Sequence, residues 1–112
     1  MKNQIELLVS LQDLDLMLQE IEDVKKLGFA VRTEGTDKLE DARHDLVKKI
    51  NKPLFGRYER LRNRYRRAIV PVKEDTCFGC FMKLPTYLIT LAQRDQEVIN
   101  CEGCGRILYW LN

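Results

Sequence analysis

The sequence feature that most constrains this chain is a pair of Cys-x-x-Cys motifs in its last third. Cys77-Phe78-Gly79-Cys80 and Cys101-Glu102-Gly103-Cys104 contain all four cysteines of the 112 residues. Two such motifs separated by about 20 residues can direct four thiolates at one tetrahedral Zn²⁺. Four sulfur ligands leave no coordination position for water, so the predicted role of the ion is structural. The predicted ligands are Cys77, Cys80, Cys101 and Cys104.

Two disulfides or a redox-active Cys-x-x-Cys pair are the alternatives to zinc. Disulfides are typical of secreted proteins, whereas a charge interrupts the apolar residues near the N-terminus and no uninterrupted apolar stretch is long enough to span a bilayer. We therefore expect a cytoplasmic protein without a membrane segment, in which thiols stay reduced and available to metal. A redox function would leave the second motif unexplained, so the spacing favours zinc.

The first part of the chain has the apolar periodicity of a helix. A 4-3-4-3 spacing predicts a coiled-coil seam at Leu7, Leu11, Leu14, Leu18 and Ile21. A second apolar set widens this surface and predicts a further contact, including a homodimer formed through the first helix. Its members are Ile5, Leu8, Leu16, Met17 and Val24.

A second helix is predicted after a turn over residues 27–35. Thr36 followed by Asp37 is typical of a helix N-cap with an acidic first turn. Pro53 interrupts this helix but suits the first turn of a third one, which the spacing from Leu54 onward extends to about Arg67. Residues 1–68 are therefore predicted to form an antiparallel helical hairpin, or coiled coil, with a kink near Pro53.

The remaining residues, 69–112, are predicted to form a C4 zinc ribbon. Ile69-Val70-Pro71-Val72 indicates an edge strand, because proline cannot donate to a central ladder. A short helix is predicted from Thr86 to about Gln93, and residues 98–99 and 107–110 should pair as a hairpin around the second motif. The predicted fold class is thus mostly α with a small β module.

Charge is distributed unevenly along the chain. The net charge of +2 combines −3 over residues 1–35, +6 over residues 36–68 and −1 over residues 69–112. Arginines beside Tyr58 and Tyr65 could contact phosphates and stack on bases of RNA or DNA. The alternative is a solvated face that pairs with the acidic first helix. The candidate nucleic-acid-binding residues are Lys52, Arg57, Arg60, Arg62, Arg64, Arg66 and Arg67.

Several segments together resemble a known family. They are Leu11-Gln12-Asp13-Leu14-Asp15, residues 58–62, Val70-Pro71-Val72, residues 77–85 and residues 101–109. The chain resembles the bacterial coiled-coil proteins with a C-terminal C4-type zinc ribbon, most specifically over residues 53–112. The resemblance implies an elongated hairpin joined to a ribbon with four cysteine ligands. It also implies roles as a chaperone in flagellar assembly, as a partner of an alternative sigma factor or in RNA binding. Typical members have a coiled coil about twice as long.

Catalysis is not expected from this sequence. The four cysteines are needed as ligands, and the chain lacks a phosphate-cradling glycine loop, a His-Glu-x-x-His helix and a Ser-His-Asp set. We therefore expect a non-enzymatic adaptor that binds a protein partner. An RNA- or DNA-binding module is the alternative function, and a thiol-redox enzyme is a third hypothesis that metal analysis would separate.

Overall fold

The computed structural model describes residues 4–30, 33–95 and 98–110 of the chain. Three helices come first: α1 (Gln4–Lys26), α2 (Thr33–Lys49) and α3 (Lys52–Arg64). The C-terminal part contains β1 (Ile69–Lys73), β2 (Thr76–Cys77), α4 (Thr86–Asp95), β3 (Ile99–Asn100) and β4 (Ile107–Trp110). The predicted fold class, mostly helical with a small β module, is confirmed. Within the described ranges, no helix is long and apolar enough to cross a bilayer.

Helices α1 and α2 pack as a hairpin, as predicted. Gln4 at the start of α1 bonds to the end of α2, where its side-chain amide donates to the Lys49 carbonyl oxygen and accepts from the Asn51 N–H. Further along α1, Asp15 bonds to Arg43 near the middle of α2. Residue numbers of the contacts increase along α1 while they decrease along α2, so the two helices are antiparallel.

The helix boundaries differ from the predicted ones at two places. Helix α2 begins at Thr33, so Thr36 lies inside the helix and is not its N-cap. The sequence carries the same Thr-acid pattern one turn earlier, at Thr33-Glu34. Helix α3 has Pro53 in its first turn, as expected, but ends at Arg64 rather than near Arg67 because Tyr65 is extended (φ −127°, ψ 147°).

The four strands form one sheet in the order β2-β1-β4-β3. Strand β1 is central, so the prediction of an edge strand was wrong. It pairs parallel with β4, while β2 pairs only with Val72 and Lys73 on the other side. The Pro71 carbonyl oxygen accepts from the Phe78 N–H on the β2 side. Proline has no N–H to return a bond to Phe78, so the β1–β2 ladder ends at this position and the proline is tolerated in a central strand.

The beginning of β1 is closed by a glutamine of α1. The Gln12 side chain donates to the Ile69 carbonyl oxygen at 3.0 Å and accepts from the Ile69 N–H at 2.8 Å. Gln12 is only 4% exposed. This side-chain amide satisfies both backbone groups where β2 does not reach, and it fixes the hairpin on the sheet.

Helices and sheet share one hydrophobic core. The α1 residues Leu8 and Leu11 are fully buried and belong to the same cluster as Ile69 of β1 and Ile107 of β4. A second cluster lies around the cysteines and α4, and contains Leu88. The helical part therefore packs directly on the ribbon sheet.

A charged network lies where the three helices meet. The Asp15 carboxylate, 4% exposed, accepts from the Tyr58 hydroxyl and from Arg43 Nε, each at 2.6 Å. Arg43 also bonds to Glu59 of α3 at 2.7 Å, and Arg62 lies 3.6 Å from Asp15. Burial, then the hydrogen bond to Asp15, raises the pKa of Tyr58, so the phenol stays protonated and donates.

Candidate metal centre and the basic helix

The two Cys-x-x-Cys motifs form turns of the same geometry. In the first, the Phe81 N–H donates to the Cys77 carbonyl oxygen at 2.7 Å, and in the second the Gly105 N–H donates to that of Cys101 at 2.8 Å. Gly79 and Gly103 each direct an N–H at the sulfur of the first cysteine in their motif, at 3.4 Å. Each turn is thus a knuckle that supplies two thiolates and hydrogen-bonds one of them.

The sulfur atoms are arranged as a tetrahedral metal site requires. All four Sγ atoms lie within 4.8 Å of one another. The Cys77–Cys104 and Cys80–Cys101 sulfur distances are 3.9 and 3.7 Å. Zn–S bonds of about 2.3 Å in a tetrahedron separate the sulfurs by about 3.8 Å, whereas a disulfide needs about 2.05 Å. The donor set therefore fits one structural Zn²⁺, as predicted from the spacing, and does not match two disulfides.

One position distinguishes the two knuckles. The residue after the second cysteine has a positive φ in both, which is 80° at Gly105 and 62° at Phe81. Glycine adopts this conformation without strain, but a bulky side chain there costs about 1–2 kcal/mol. Phe81 is nevertheless 70% exposed, so burial of its ring does not offset that strain within the chain.

Protonation of the cysteines opposes metal binding. Burial raises the pKa of Cys77, and burial raises the pKa of Cys104 to about 12. Burial opposes ionisation of Cys101 as well, but hydrogen bonds from the backbone N–H groups of Cys104 and Gly103 help to lower its pKa to about 7. Because zinc binds thiolates, coordination at neutral pH releases protons from the buried thiols.

The predicted basic residues do not form a single surface. Arg57, Arg60 and Arg64 are exposed and lie three and four residues apart, which places them on one face of α3. We call these three residues the arginine stripe. Arg57 also donates to the Asn100 side chain at 3.1 Å, which connects the stripe to β3. Lys52 is exposed at the start of α3.

The other three arginines lie elsewhere. Arg62 is on the face of α3 that carries buried Tyr58, where it contacts Asp15 and Glu59. The pairing of basic residues with the acidic first helix, offered above as an alternative, thus occurs at this position. Arg66 and Arg67 are exposed but follow the end of α3. Nucleic-acid binding by these seven residues stays a prediction.

Two contacts that matter to the site were not predicted from the sequence, although Tyr65 itself was named there as a neighbour of basic residues. Arg106 follows the second knuckle, and its guanidinium lies 3.8 Å from the centre of the Tyr65 ring. The Tyr65 hydroxyl donates to the Cys104 carbonyl oxygen at 2.9 Å. No short-range sequence pattern indicates either contact, because the two partners are about 40 residues apart in the chain.

Comparisons with known proteins agree with this geometry. Residues 76–108 match the family model of the C4-type zinc ribbon domain. The chain is similar to the solved structure of CT398 from Chlamydia trachomatis, with 32% identity and a TM-score of 0.64 over 80% of this chain and 36% of that one. It is also similar to the HP0958 protein from Helicobacter pylori, with 31% identity and a TM-score of 0.63 over 82% and 36%.

The chain thus spans little more than a third of each of these two proteins. No functionally curated protein matches its sequence. The matched segment contains both knuckles, and its sulfur distances fit one tetrahedral ion. Residues 76–108 form a C4-type zinc ribbon domain with four cysteine ligands for one structural zinc ion.

Proposed function

We propose that this protein is a non-enzymatic adaptor that binds a protein partner through the first zinc knuckle. The observation that carries the proposal is the exposure of Phe78, Phe81 and Met82, which we call the knuckle patch. Their exposed fractions are 43%, 70% and 57%, and the two phenyl rings lie 5.7 Å apart. Strained, exposed aromatic residues are characteristic of binding sites, because the contact made in the complex offsets their cost.

The hairpin offers a second apolar surface. Met17 and Val24 are one heptad apart on α1, and Leu27 and Phe29 follow at its end; all four are exposed. A partner with apolar residues, or a second copy of this chain, would cover this surface. The family resemblance supports a chaperone-like role toward a transcription- or flagellum-related partner in the cytoplasm.

Replacement of Phe81 by glycine separates binding from folding. The change removes the ring and relieves the positive-φ strain, so the stability of the zinc-loaded protein should stay the same or rise by up to about 1 kcal/mol. Partner capture by the tagged full chain from nuclease-treated extract of the native cell should be lost. Tyr87→Ala is the matched control, because Tyr87 is an exposed aromatic residue (58%) in a helix. Equal capture by Phe81→Gly and the unmodified protein would refute the proposal.

Nucleic-acid binding is the second candidate function, and the arginine stripe favours it. Three exposed guanidinium groups on one helix face present charge along a line, which suits a phosphate backbone. The triple variant Arg57→Gln, Arg60→Gln and Arg64→Gln should weaken RNA or DNA binding and reduce the log–log slope of its salt dependence by roughly two to three. Arg62→Gln is the control because Arg62 is paired inside the molecule. An unchanged slope in the triple variant would exclude the stripe.

A further inference from the structure

The side chain of Arg106 is held between the helical part and the first knuckle. Its guanidinium stacks on the Tyr65 ring at 3.8 Å, within the range of a cation–π interaction. On the knuckle side, a Cβ atom at Gly79 would overlap the guanidinium. Only glycine therefore allows Arg106 to approach the knuckle this closely.

The position of Arg106 is fixed by the second knuckle as well. Its carbonyl oxygen accepts from the Cys101 N–H at 2.8 Å. Tyr65, on which the guanidinium stacks, is anchored by the hydrogen bond from its hydroxyl to the Cys104 carbonyl oxygen. These contacts connect the cation with the end of α3 and with both knuckles.

Within the described ranges, no carboxylate lies close enough to Arg106 to form an ion pair. Its Nε atom is buried without a hydrogen-bond partner among those residues. Arg106 is half-buried, and a cation withdrawn even in part from water is stabilised when an opposite charge lies nearby. Four thiolates on one Zn²⁺ carry a net charge of −2. Gly79, whose open Cβ position the Arg106 guanidinium occupies, directs its own N–H at the Cys77 sulfur.

We propose that Arg106 is the counter-cation of the zinc tetrathiolate and that Tyr65 holds it in place. The positive charge stabilises the metal-bound thiolates and lowers their reactivity toward electrophiles and competing chelators. Zinc retention by the ribbon therefore depends on the docked helical part, through Tyr65. This inference is independent of the proposed adaptor function.

The test is zinc transfer from the full-length, zinc-loaded protein to a chromogenic chelator. Arg106→Met keeps an unbranched side chain against Tyr65 and Gly79 but removes the charge. We expect the apparent zinc affinity to fall about 10-fold or more, the size of effect typical of groups just outside a metal's ligands. Arg106→Lys should retain most of the affinity. The visible spectrum of the Co²⁺-substituted protein should be unchanged in both, because all four ligands remain.

Arg64→Met is the matched control for net charge. Arg64 also faces the Tyr65 ring, at 5.6 Å, but it is exposed and lies on the arginine stripe. This variant should keep the zinc affinity of the unmodified protein. Equal losses of zinc affinity in Arg64→Met and Arg106→Met would overturn the proposal. A loss of zinc affinity in Arg106→Lys together with unchanged affinity in Arg106→Met would also overturn it, because packing and not charge would then matter.

A second pair of variants decides the matter if Arg106→Met does not fold. Tyr65→Leu removes the ring that holds the guanidinium, whereas Tyr65→Phe keeps the ring and loses only the hydroxyl. Faster zinc release from Tyr65→Leu than from Tyr65→Phe supports the proposed arrangement. Equal release rates would show that Tyr65 does not position the cation, and would overturn that part of the proposal.

Discussion

Replacing Gln12 by leucine would measure how strongly the helical hairpin is fixed on the ribbon sheet. The Gln12 amide makes the two hydrogen bonds that satisfy the N–H and the carbonyl oxygen of Ile69. Leucine has a similar volume, so the main loss is polar. Each buried backbone group left without a partner costs about 1–3 kcal/mol, and two of them cost roughly 2–6 kcal/mol. That is a large part of the 5–15 kcal/mol typical of a folded domain.

The assay is urea unfolding of the zinc-loaded protein, followed by far-ultraviolet circular dichroism. We expect Gln12→Leu to lower the unfolding midpoint strongly while the variant still binds one zinc ion per chain. Gln12→Glu should also be destabilising, because a carboxylate cannot donate to the Ile69 carbonyl oxygen and places a charge at a buried position.

Gln19→Leu is the control on the same helix. Gln19 is exposed and bonds to Asp23 one turn further along the same helix, so its replacement should change stability by less than about 0.5 kcal/mol. If Gln12→Leu were as stable as Gln19→Leu, the amide would not hold the sheet, and the account of how hairpin and ribbon are joined would be refuted.

Three further predictions concern the buried network and the metal. Tyr58→Phe removes the hydrogen bond to Asp15 and should lower the free energy of unfolding in urea by about 1.5–3 kcal/mol. A loss below about 0.5 kcal/mol, the size typical of a surface substitution, would mean that Arg43 alone satisfies the carboxylate. Removing zinc with a chelator should reduce the helical circular dichroism signal as well as the ribbon structure, because Ile69 and Ile107 belong to the core of the helices; an unaltered helical signal would contradict the shared core. Apparent zinc affinity should rise about 10-fold or more per pH unit across about pH 6 to 8, since raised thiol pKa values require proton release on binding. Competition titrations measure this, and an affinity that does not change with pH would count against protonated thiols.

The local sequence was sufficient wherever short-range spacing determines the structure. Each Cys-x-x-Cys motif closes its own knuckle, and the two motifs are complete as a ligand set. Apolar periodicity likewise predicted three helices and their hairpin packing, because a buried stripe repeats every three to four residues. The β3–β4 hairpin around the second motif was also predicted and is present.

The tertiary structure decided which polar residues connect these elements. The sequence does not distinguish Gln12 from an exposed glutamine of α1. Its role follows only from the position of β1, whose Ile69 N–H and carbonyl oxygen pair with the Gln12 side chain. Pro71 indicated an edge strand by its own chemistry, yet β1 is central, because the β1–β2 ladder ends at the proline and covers only Val72 and Lys73. Arg62 and Arg64 belong to the same basic segment of the sequence. Because they are two residues apart on a helix, they lie on different faces, so Arg62 contacts Asp15 whereas Arg64 is exposed. Spacing along the chain fixes elements and ligands, whereas pairing between distant polar groups depends on distances that exist only after the helices and the sheet have packed.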